Sequence, residues 1–569
     1  MDKKLLLGDE AIALGALHAG LGGVYAYPGT PSTEITEYIQ NFVAQNSGVQ
    51  GSKEFKGSRV QGIHSRWCTN EKTAMEAALG MSYAGKRALV CMKHVGMNVC
   101  ADAFVNSAIT GANGGLVVLA ADDPSMHSSQ NEQDSRFYGK FALLPVFEPS
   151  NQQEAYDMML KAFEYSEKIQ EPVLMRMVTR LAHSRASVEI SNQPLQQVSK
   201  ASATERKWVL LPGIAKKQYK VLIDKQKDML QASEESEYNK MILGSRQGTM
   251  EKLRTLEQGV ARLGVIACGI GYNYVRENDF EGPILKISQY PLPEKKILEL
   301  TKQCDEILVV EDGQPVVEEM VKAILHDNGV SMKVTGRLTG RLPRTGELNP
   351  DNVAAALAAG GSAQQTECSA PEAVKAMPEL VAARPPQLCP GCGHRDVYAA
   401  LNMVTAEYPE ARIFGDIGCY TLGALKPYQA LASTVDMGAS ITMAKGAADA
   451  GLFPSVAIIG DSTFTHSGMT GLLDAVNDKS NILVVISDNL TTGMTGGQDS
   501  AGTNKFEQIC LGLGVEPEHL HVVVPLEKNM DEITRIIRQE IEYNGVSVII
   551  PRRECIQTLR RHAKAKQTK

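Results

Sequence analysis

Short apolar runs alternating with stretches of helical period organise the first third of the chain. Val24–Pro28, Arg87–Lys93, Gly115–Ala121 and Pro172–Val178 read as buried strands, while Glu71–Gly85 and Gln152–Tyr165 carry apolar residues at helical spacing. Such alternation predicts a parallel sheet covered by helices on both faces. The polar segment from 186 to 255, rich in Lys, Glu and Gln, predicts a helical connection. A smaller alternation follows, with strands at Leu263–Cys268, Pro283–Ile287 and Glu306–Val310. Its Gly269-Ile-Gly271 reads as a tight strand-to-helix turn, since a lone Gly-x-Gly is weak support for a nucleotide site. Ala354–Gly361 then leads to a linker ending at Arg384-Pro-Pro386. Ala411–Gly415, Ser455–Gly460, Asn481–Ser487 and Val546–Ile550 give the last unit its strands. The expected fold class is therefore α/β, with doubly wound parallel-sheet domains at 1–190 and 387–569 flanking a smaller α/β domain at 256–365. Residues 191–255 and 366–386 join them.

Length and composition narrow the function. At 569 residues the chain exceeds one hydrophobic core, and roughly three or four domains are expected. Apolar residues make up 43% and charged residues 22%, as in a soluble globular protein. A net charge of −7 argues against nucleic acid or an anionic membrane as the main partner. The apolar stretch Leu5–Leu7 is too short for a signal core or a membrane span, so a cytoplasmic location is expected. Eleven cysteines without a secretion signal do not form a disulfide framework. Cys91, Cys100 and Cys268 sit in apolar runs and read as small buried hydrophobes.

Pro454-Ser-Val-Ala-Ile-Ile-Gly-Asp-Ser-Thr463 and Asn481-Ile-Leu-Val-Val-Ile-Ser-Asp-Asn489 are two apolar strands that each end in an oxygen-bearing residue. A helix-length crossover separates them, and a right-handed one brings Asp461 and Asn489 together at the carboxyl edge of the sheet. Mg²⁺ takes about six oxygens, commonly one or two carboxylates plus phosphate oxygens. Asp461, Asn489 and a backbone carbonyl near Thr491 suit that demand. Alone, Gly-Asp-Ser is equally an Asp capping a helix. Gly460-Asp461-Ser462 followed by Asn489 and the Gly-rich Thr491–Gln498 loop resembles the motif by which thiamine-diphosphate enzymes hold Mg²⁺ and the diphosphate. Asp436-Met-Gly438-Ala-Ser440 opens a helix whose amides also suit a diphosphate.

That resemblance asks for a carboxyl group that hydrogen-bonds the aminopyrimidine ring nitrogen of thiamine. Glu71, opening a helix in Thr69-Asn-Glu-Lys-Thr-Ala-Met-Glu-Ala-Ala-Leu-Gly80, matches the family's activating glutamate, with Gly80 as the glycine further along the helix. Glu76 is its competitor, and either acid also serves as an ordinary helix residue. Tyr27-Pro-Gly-Thr-Pro-Ser-Thr-Glu34 resembles the Tyr-Pro-x-Thr-Pro-Ser segment of pyruvate:ferredoxin oxidoreductases. The resemblance puts Gly29 and Thr30 beside thiamine and the substrate carboxylate. His94, His127 and Arg136 are candidates for proton transfer or carboxylate binding, against the commoner structural role of such side chains.

Cys389 and Cys392 in Pro386-Gln-Leu-Cys-Pro-Gly-Cys-Gly-His394 are on their own half of a zinc site or a redox pair. Cys419, after Gly418 in Gly415-Asp-Ile-Gly-Cys-Tyr420, and Cys555, past the last strand, each sit at a strand end and bring the thiols to four. A tetrathiolate suits Zn²⁺ or a [4Fe–4S] cluster. The pattern resembles the proximal cluster of 2-oxoacid:ferredoxin oxidoreductases, most closely the indolepyruvate-type α subunits. Met92-Lys-His-Val-Gly-Met-Asn98 and Ala121-Asp-Asp-Pro-Ser-Met-His127 through Arg136 carry the same likeness. It implies a thiamine pyrimidine-binding first domain, a transketolase C-terminal-like middle domain and a diphosphate-binding last domain.

Two departures from the family pattern stand out. The chain ends in the basic run Arg560–Lys569, read as a solvated disordered tail, where the family typically continues into a ferredoxin-like domain. Met494 and Thr495 occupy a loop in which pyruvate enzymes carry Asn at the Met494 position, consistent with a bulkier aryl or alkyl substrate. The resemblance implies oxidative decarboxylation of a 2-oxoacid, with electrons passing to a ferredoxin-like carrier and the acyl group to coenzyme A. It also implies a second subunit. The alternatives are a non-oxidative thiamine-dependent decarboxylase and a non-catalytic zinc-containing subunit.

Overall fold

The structure, a computed structural model, describes residues 2–46, 62–191, 197–201, 208–243, 262–359 and 386–567. Two compact units divide the chain, residues 1–375 and 376–569. The expected linker at 366–386 lies outside the described residues up to its last position.

Strands of the first unit are β1 (Asp2–Leu7), β2 (Gly23–Ala26), β3 (His64–Trp67), β4 (Ala88–Lys93), β5 (Leu116–Asp122), β6 (Val146–Phe147), β7 (Val173–Val178), β8 (Arg185–Ile190), β9 (Lys240–Ile242), β10 (Leu263–Cys268), β11 (Ile284–Ile287), β12 (Gln289–Tyr290), β13 (Glu306–Val310) and β14 (Lys333–Thr335). A seven-stranded sheet runs β12-β6-β7-β5-β4-β2-β3, parallel except for β12. Its central strands β4, β5 and β7 are buried almost throughout, which explains their apolar runs, broken within β7 by the buried Arg176. β1 and β8 pair antiparallel from Asp2↔Ile190 to Leu7↔Arg185. A five-stranded sheet runs β14-β13-β10-β11-β9, parallel except for β9. It falls with the larger sheet in the first compact unit, over most of the 256–365 stretch expected as a smaller α/β domain. β12 leaves the smaller sheet to extend the larger one, and buried ion pairs described below tie the two. A two-residue strand and buried charges leave no mark on a hydrophobic pattern. The polar 186–255 segment does contain a helix, Pro212–Glu235, but also supplies β9 and most of β8.

The second unit has one fully parallel sheet. Its strands are β15 (Arg412–Gly415), β16 (Leu431–Thr434), β17 (Ser455–Gly460), β18 (Ile482–Ser487), β19 (Leu520–Val523) and β20 (Val546–Pro551), in the order β16-β15-β17-β18-β20-β19. Connections reverse direction between β15 and β17, and the crevice at such a switch point is where open α/β sheets bind ligands. β16 and β19, at the sheet's edges and only partly buried, were not legible as apolar runs. Among the described residues no helix is long and apolar enough to cross a membrane.

Candidate active site

In the first unit the expected residues gather at the carboxyl edge of the larger sheet. After β2, Gly29 N donates to Thr33 Oγ1 at 3.1 Å and Ser32 Oγ donates to the Gly29 carbonyl at 2.8 Å, which closes the turn carrying half-buried Thr30. After β3, Asn70 caps the helix Glu71–Tyr83 by accepting from Thr73 N at 2.9 Å. Glu71 is then the first helical residue and is buried. A Cβ placed on Gly96 would lie 2.7 Å from Glu71 Cγ and 2.9 Å from its Oε1, so the Glu71 side chain occupies space that Gly96 leaves open. By contrast, a Cβ on Gly80 meets nothing within 4 Å. Gly96, overlooked in the sequence although it lies in Met92–Asn98, is the glycine that shapes this site. Glu76 is exposed and paired with Lys72 on the outer face of the helix.

His94 opens the helix His94–Thr110 directly after β4 and is buried, with the Asn131 backbone and the Asp122 and Asp123 carboxylates acting on its ring. Burial lowers its pKa below the usual value, against the pull of Asp122 and Asp123. The imidazole is therefore neutral at pH 7 and able to give or take a proton. The neighbouring Lys93 is brought down to about 8 by burial and donates to the Ser128 carbonyl at 2.7 Å.

His127 and Arg136, after β5, are each engaged by other side chains. His127 is half exposed with Nε2 3.3 Å from Glu347 Oε1, an acid that also pairs with Arg180. Arg136 is buried and surrounded by acceptors. Nε donates to Asp134 Oδ1 at 2.9 Å, NH2 to Asp134 Oδ2 at 2.6 Å and to the Gln314 carbonyl at 2.9 Å, and NH1 lies 2.9 Å from Glu311 Oε2. Arg176 runs beside it, bridging Asp122 and Glu148. A substrate carboxylate would have to displace these partners to reach Arg136.

In the second unit the strand ends form one continuous site. The crossover from β17 through the helix Met469–Asn477 to β18 brings the two predicted residues together: Thr491 N donates to Asp461 Oδ2 at 3.1 Å and to Asn489 Oδ1 at 3.1 Å. Ser462 N donates to Asp461 Oδ1 at 2.7 Å, and Ser462 Oγ lies 2.9 Å from Thr492 Oγ1. Burial, reinforced by Asp488, pushes the Asp461 carboxyl up to about 8. The helix widens to a π-turn over Phe464–Gly468, a feature frequent at functional sites. Gly438 (φ 97°) packs on that turn, where a Cβ would meet Ser467 Cβ at 2.6 Å, so only glycine serves here.

Asp416, next to the quoted Gly415, is a site residue that the sequence reading missed. Its Oδ2 accepts from Gly438 N at 3.1 Å and Ser440 Oγ at 2.8 Å, and its Oδ1 takes the Tyr420 hydroxyl. Burial pushes its pKa up to about 7. The Tyr420 ring in turn occupies the space that side chains on Gly418 and Gly460 would fill. Asp436 opens this same turn.

All four expected thiols, Cys389, Cys392, Cys419 and Cys555, line one cavity of about 110 Å³ together with Asn489 and Gly493. Cys389 and Cys392 bracket a tight turn closed by Cys392 N to the Cys389 carbonyl at 3.1 Å. Cys555 N donates to the Asn489 carbonyl at 3.0 Å. A Cβ on Gly493 would lie 3.4 Å from Cys419 Sγ and 3.8 Å from Cys555 Sγ. Burial, then the other three thiols, raises Cys419 to about 12. His394 stays neutral, brought down to about 4 by burial, with Nδ1 3.2 Å from Cys392 Sγ. The loop beyond is braced by Thr492 N to the Gln498 carbonyl at 2.9 Å and by Thr495 Oγ1 to Gln498 Oε1 at 2.5 Å, and it exposes Met494. The basic tail is helical over Ile556–Gln567 rather than disordered, and Arg561 donates to the Gly496 carbonyl of this loop.

Residues 14–238 match the family described as pyruvate flavodoxin/ferredoxin oxidoreductase, thiamine diphosphate-binding, and residues 416–550 match the C-terminal TPP-binding domain of thiamine pyrophosphate enzymes. Indolepyruvate oxidoreductase subunit IorA of Archaeoglobus fulgidus is 38% identical over 97% of this chain and 86% of its own length. The IorA subunit of Methanothermobacter thermautotrophicus is 36% identical, over 98% and 87%. A solved 2-oxoglutarate:ferredoxin oxidoreductase from Magnetococcus marinus is a distant likeness, 15% identical with a TM-score of 0.44 over 59% of this chain and 62% of that one. With identity at this level along nearly its whole length, the chain belongs to the family of indolepyruvate oxidoreductase subunit IorA, among the thiamine-diphosphate-dependent 2-oxoacid:ferredoxin oxidoreductases.

Proposed function

We propose that this chain oxidatively decarboxylates a 2-oxoacid, an arylpyruvate such as indolepyruvate, to acyl-CoA and CO₂, with electrons leaving through one [4Fe–4S] cluster to ferredoxin or a similar carrier. The observation that carries this reading is the cavity in which four thiols meet the Asn489 and Gly493 backbone of the diphosphate loop. Asp461 and Asn489, drawn together by the Thr491 amide, offer oxygen donors of the right kind for Mg²⁺, with the Thr491 carbonyl as a third in this reading. Asp461, kept protonated up to about pH 8 when no cation faces it, is a carboxylate that a bound cation would complete. Zn–S bonds of about 2.3 Å put tetrahedral sulfurs about 3.8 Å apart. Among the described residues, the group of three ligand atoms within 4.8 Å of one another is Asp9–Glu34–His183 and not a set of these thiols, which favours a cluster over a single ion.

When bound, thiamine diphosphate supplies the electron sink for loss of CO₂. In this reading Glu71, held dry against Gly96, hydrogen-bonds the aminopyrimidine ring nitrogen. The Gly438 turn and the Gly460–Ser462 strand end lie beside the diphosphate, their amides at Gly438 and Ser462 holding Asp416 and Asp461 in place. Asp416 holds the Gly438 turn and, through Tyr420, the Cys419 turn in one register. Thr30 contacts the substrate carboxylate, and His94, as a neutral imidazole, holds a proton for the substrate's 2-oxo oxygen. Met494 gives the pocket an apolar wall suited to an aryl side chain. A second subunit, implied by the subunit names of the relatives, completes coenzyme A handling and electron exit.

The test is anaerobic purification with the second subunit, followed by metal and acid-labile sulfide analysis and assay of CO₂ release from indolepyruvate. Iron and sulfide in equal amounts with acceptor-dependent CO₂ release are expected. Zinc without sulfide would refute the cluster, and aldehyde formed without an acceptor would replace the oxidative reading with simple decarboxylation. Glu71→Gln should keep the fold and nearly abolish turnover.

A further inference from the structure

Three side chains from three helices of the first unit converge behind the turn that carries Thr30. Asp9 lies in Gly8–His18, Glu34 in Thr33–Asn46, and His183 closes Thr179–His183. One ligand atom from each lies within 4.8 Å of the other two, and His183 Nε2 is 3.6 Å from Glu34 Oε2. Asp9 is fully buried, and among the described residues no donor reaches either of its carboxylate oxygens. Burial, then the negative charge of Glu34 and a carboxyl contact with it, raise its pKa well above the usual value. A buried carboxylate without a donor is costly and is relieved by a proton or a cation.

The geometry favours the cation. A proton on Asp9 serves one oxygen, bonded towards Glu34, and leaves the other without a donor. A metal ion takes both carboxylates and the imidazole at once. Bonds of about 2.1 Å in a tetrahedron put ligand atoms about 3.4 Å apart, close to the 3.6 Å between His183 and Glu34. His183 retains about a third of its side-chain exposure, which leaves an entry path and room for water as a fourth ligand. Mixed imidazole and carboxylate ligands suit a borderline ion such as Zn²⁺ better than Mg²⁺ or Ca²⁺.

We propose that Asp9, Glu34 and His183 form a divalent transition-metal site of the Zn²⁺ class, distinct from the thiol cavity and from the Asp461 site. Its role is structural. Glu34 directly follows Thr33, whose hydroxyl accepts from Gly29 N, so the ion fastens the turn carrying Thr30. His183 belongs to the helix whose first residue, Thr179, donates to Asp123 Oδ1 at 2.9 Å. The site therefore staples the amino-terminal helix to two loops of the sheet's carboxyl edge.

The holoenzyme, with its iron content verified, is dialysed against low-micromolar Zn²⁺ beside Asp9→Asn and His183→Gln. Wild type should retain one zinc more per chain than either variant, at equal iron in all three. Affinity for that ion should fall at least about 100-fold in each variant, beyond the 10–100-fold typical of losing an outer-shell partner. Zinc should also raise the melting temperature of wild type and not that of His183→Gln. Because His183 is partly exposed, that variant decides the matter even if Asp9→Asn folds poorly. Equal zinc in all three proteins, with melting temperatures indifferent to zinc, overturns the proposal and points to a proton shared between Asp9 and Glu34.

Discussion

Gly96→Ala and Gly80→Ala together isolate the geometry around Glu71. The first puts a methyl 2.7 Å from Glu71 Cγ and 3.0 Å from Cδ, where carbon atoms need about 3.5–4.0 Å. One partner must move by roughly 0.8 Å, and the Cβ is fixed to a buried helix. The carboxyl group therefore shifts, by more than the ~0.5 Å spread of hydrogen-bond lengths allows. A misplacement near 1 Å costs about 100-fold in rate, which is about 2.7 kcal/mol of barrier. Stability should change far less. Overpacking costs about 1–3 kcal/mol, and exchanging glycine for alanine in a helix returns about 1 kcal/mol. Gly80→Ala adds its methyl to open space on an exposed helix face, so it should stabilise by up to about 1 kcal/mol and leave catalysis alone. Hydrogen–deuterium exchange at thiamine C2, followed by NMR, reads the activation step directly, and thermal melting reads the fold. Wild-type exchange in Gly96→Ala, or equal losses in the two variants, would show that Glu71 does not act through this contact.

Three further outcomes are expected. Asp461 and Asp416 have folded-state pKa values raised to about 8 and about 7 from 3.8, so the folded state holds protons that the unfolded chain has released. Stability of the thiamine-free protein should accordingly fall between pH 5 and 8, at up to about 1.4 kcal/mol per pH unit per group. Mg²⁺ with thiamine diphosphate, or Asp461→Asn, should flatten the melting curves against pH; unchanged slopes would contradict the assignment. Arg136→Ala leaves Asp134 and Glu311 buried without their partner and should destabilise by about 3–5 kcal/mol, with the KM for 2-oxoacid unchanged in whatever remains folded. A selective rise in KM would restore the carboxylate-binding role. Cys419→Ser should lose the visible absorbance, iron and sulfide together, and with them acceptor-dependent turnover; retention of iron would remove Cys419 from the ligand set.

The residues legible in advance are those whose chemistry is local. Asp461, Asn489, Cys419 and Cys555 each follow an apolar strand, and strands of a parallel sheet deliver their ends to one edge whatever the loops do, while Cys389 and Cys392 stand out by their C-x-x-C spacing. Apolar runs marked most central strands to within a residue or two, because burial on both faces demands them. Edge strands β16 and β19 lack that demand and went unseen.

Tertiary structure alone decided the rest, and the reason is contact between segments distant in sequence. Nothing local distinguishes Gly96 from Gly80, yet only Gly96 faces Glu71 across a helix pair. Asp416 looks like an ordinary loop acid until the Gly438 turn and Tyr420 close on it. Arg136 has the look of a carboxylate ligand in its motif, but its partners come from residues 134, 311 and 314 and neutralise it inside the fold. Local pattern determines which residues reach a sheet's edge. Packing determines which of them remain available there, because a buried charge takes whichever partner the fold brings within reach.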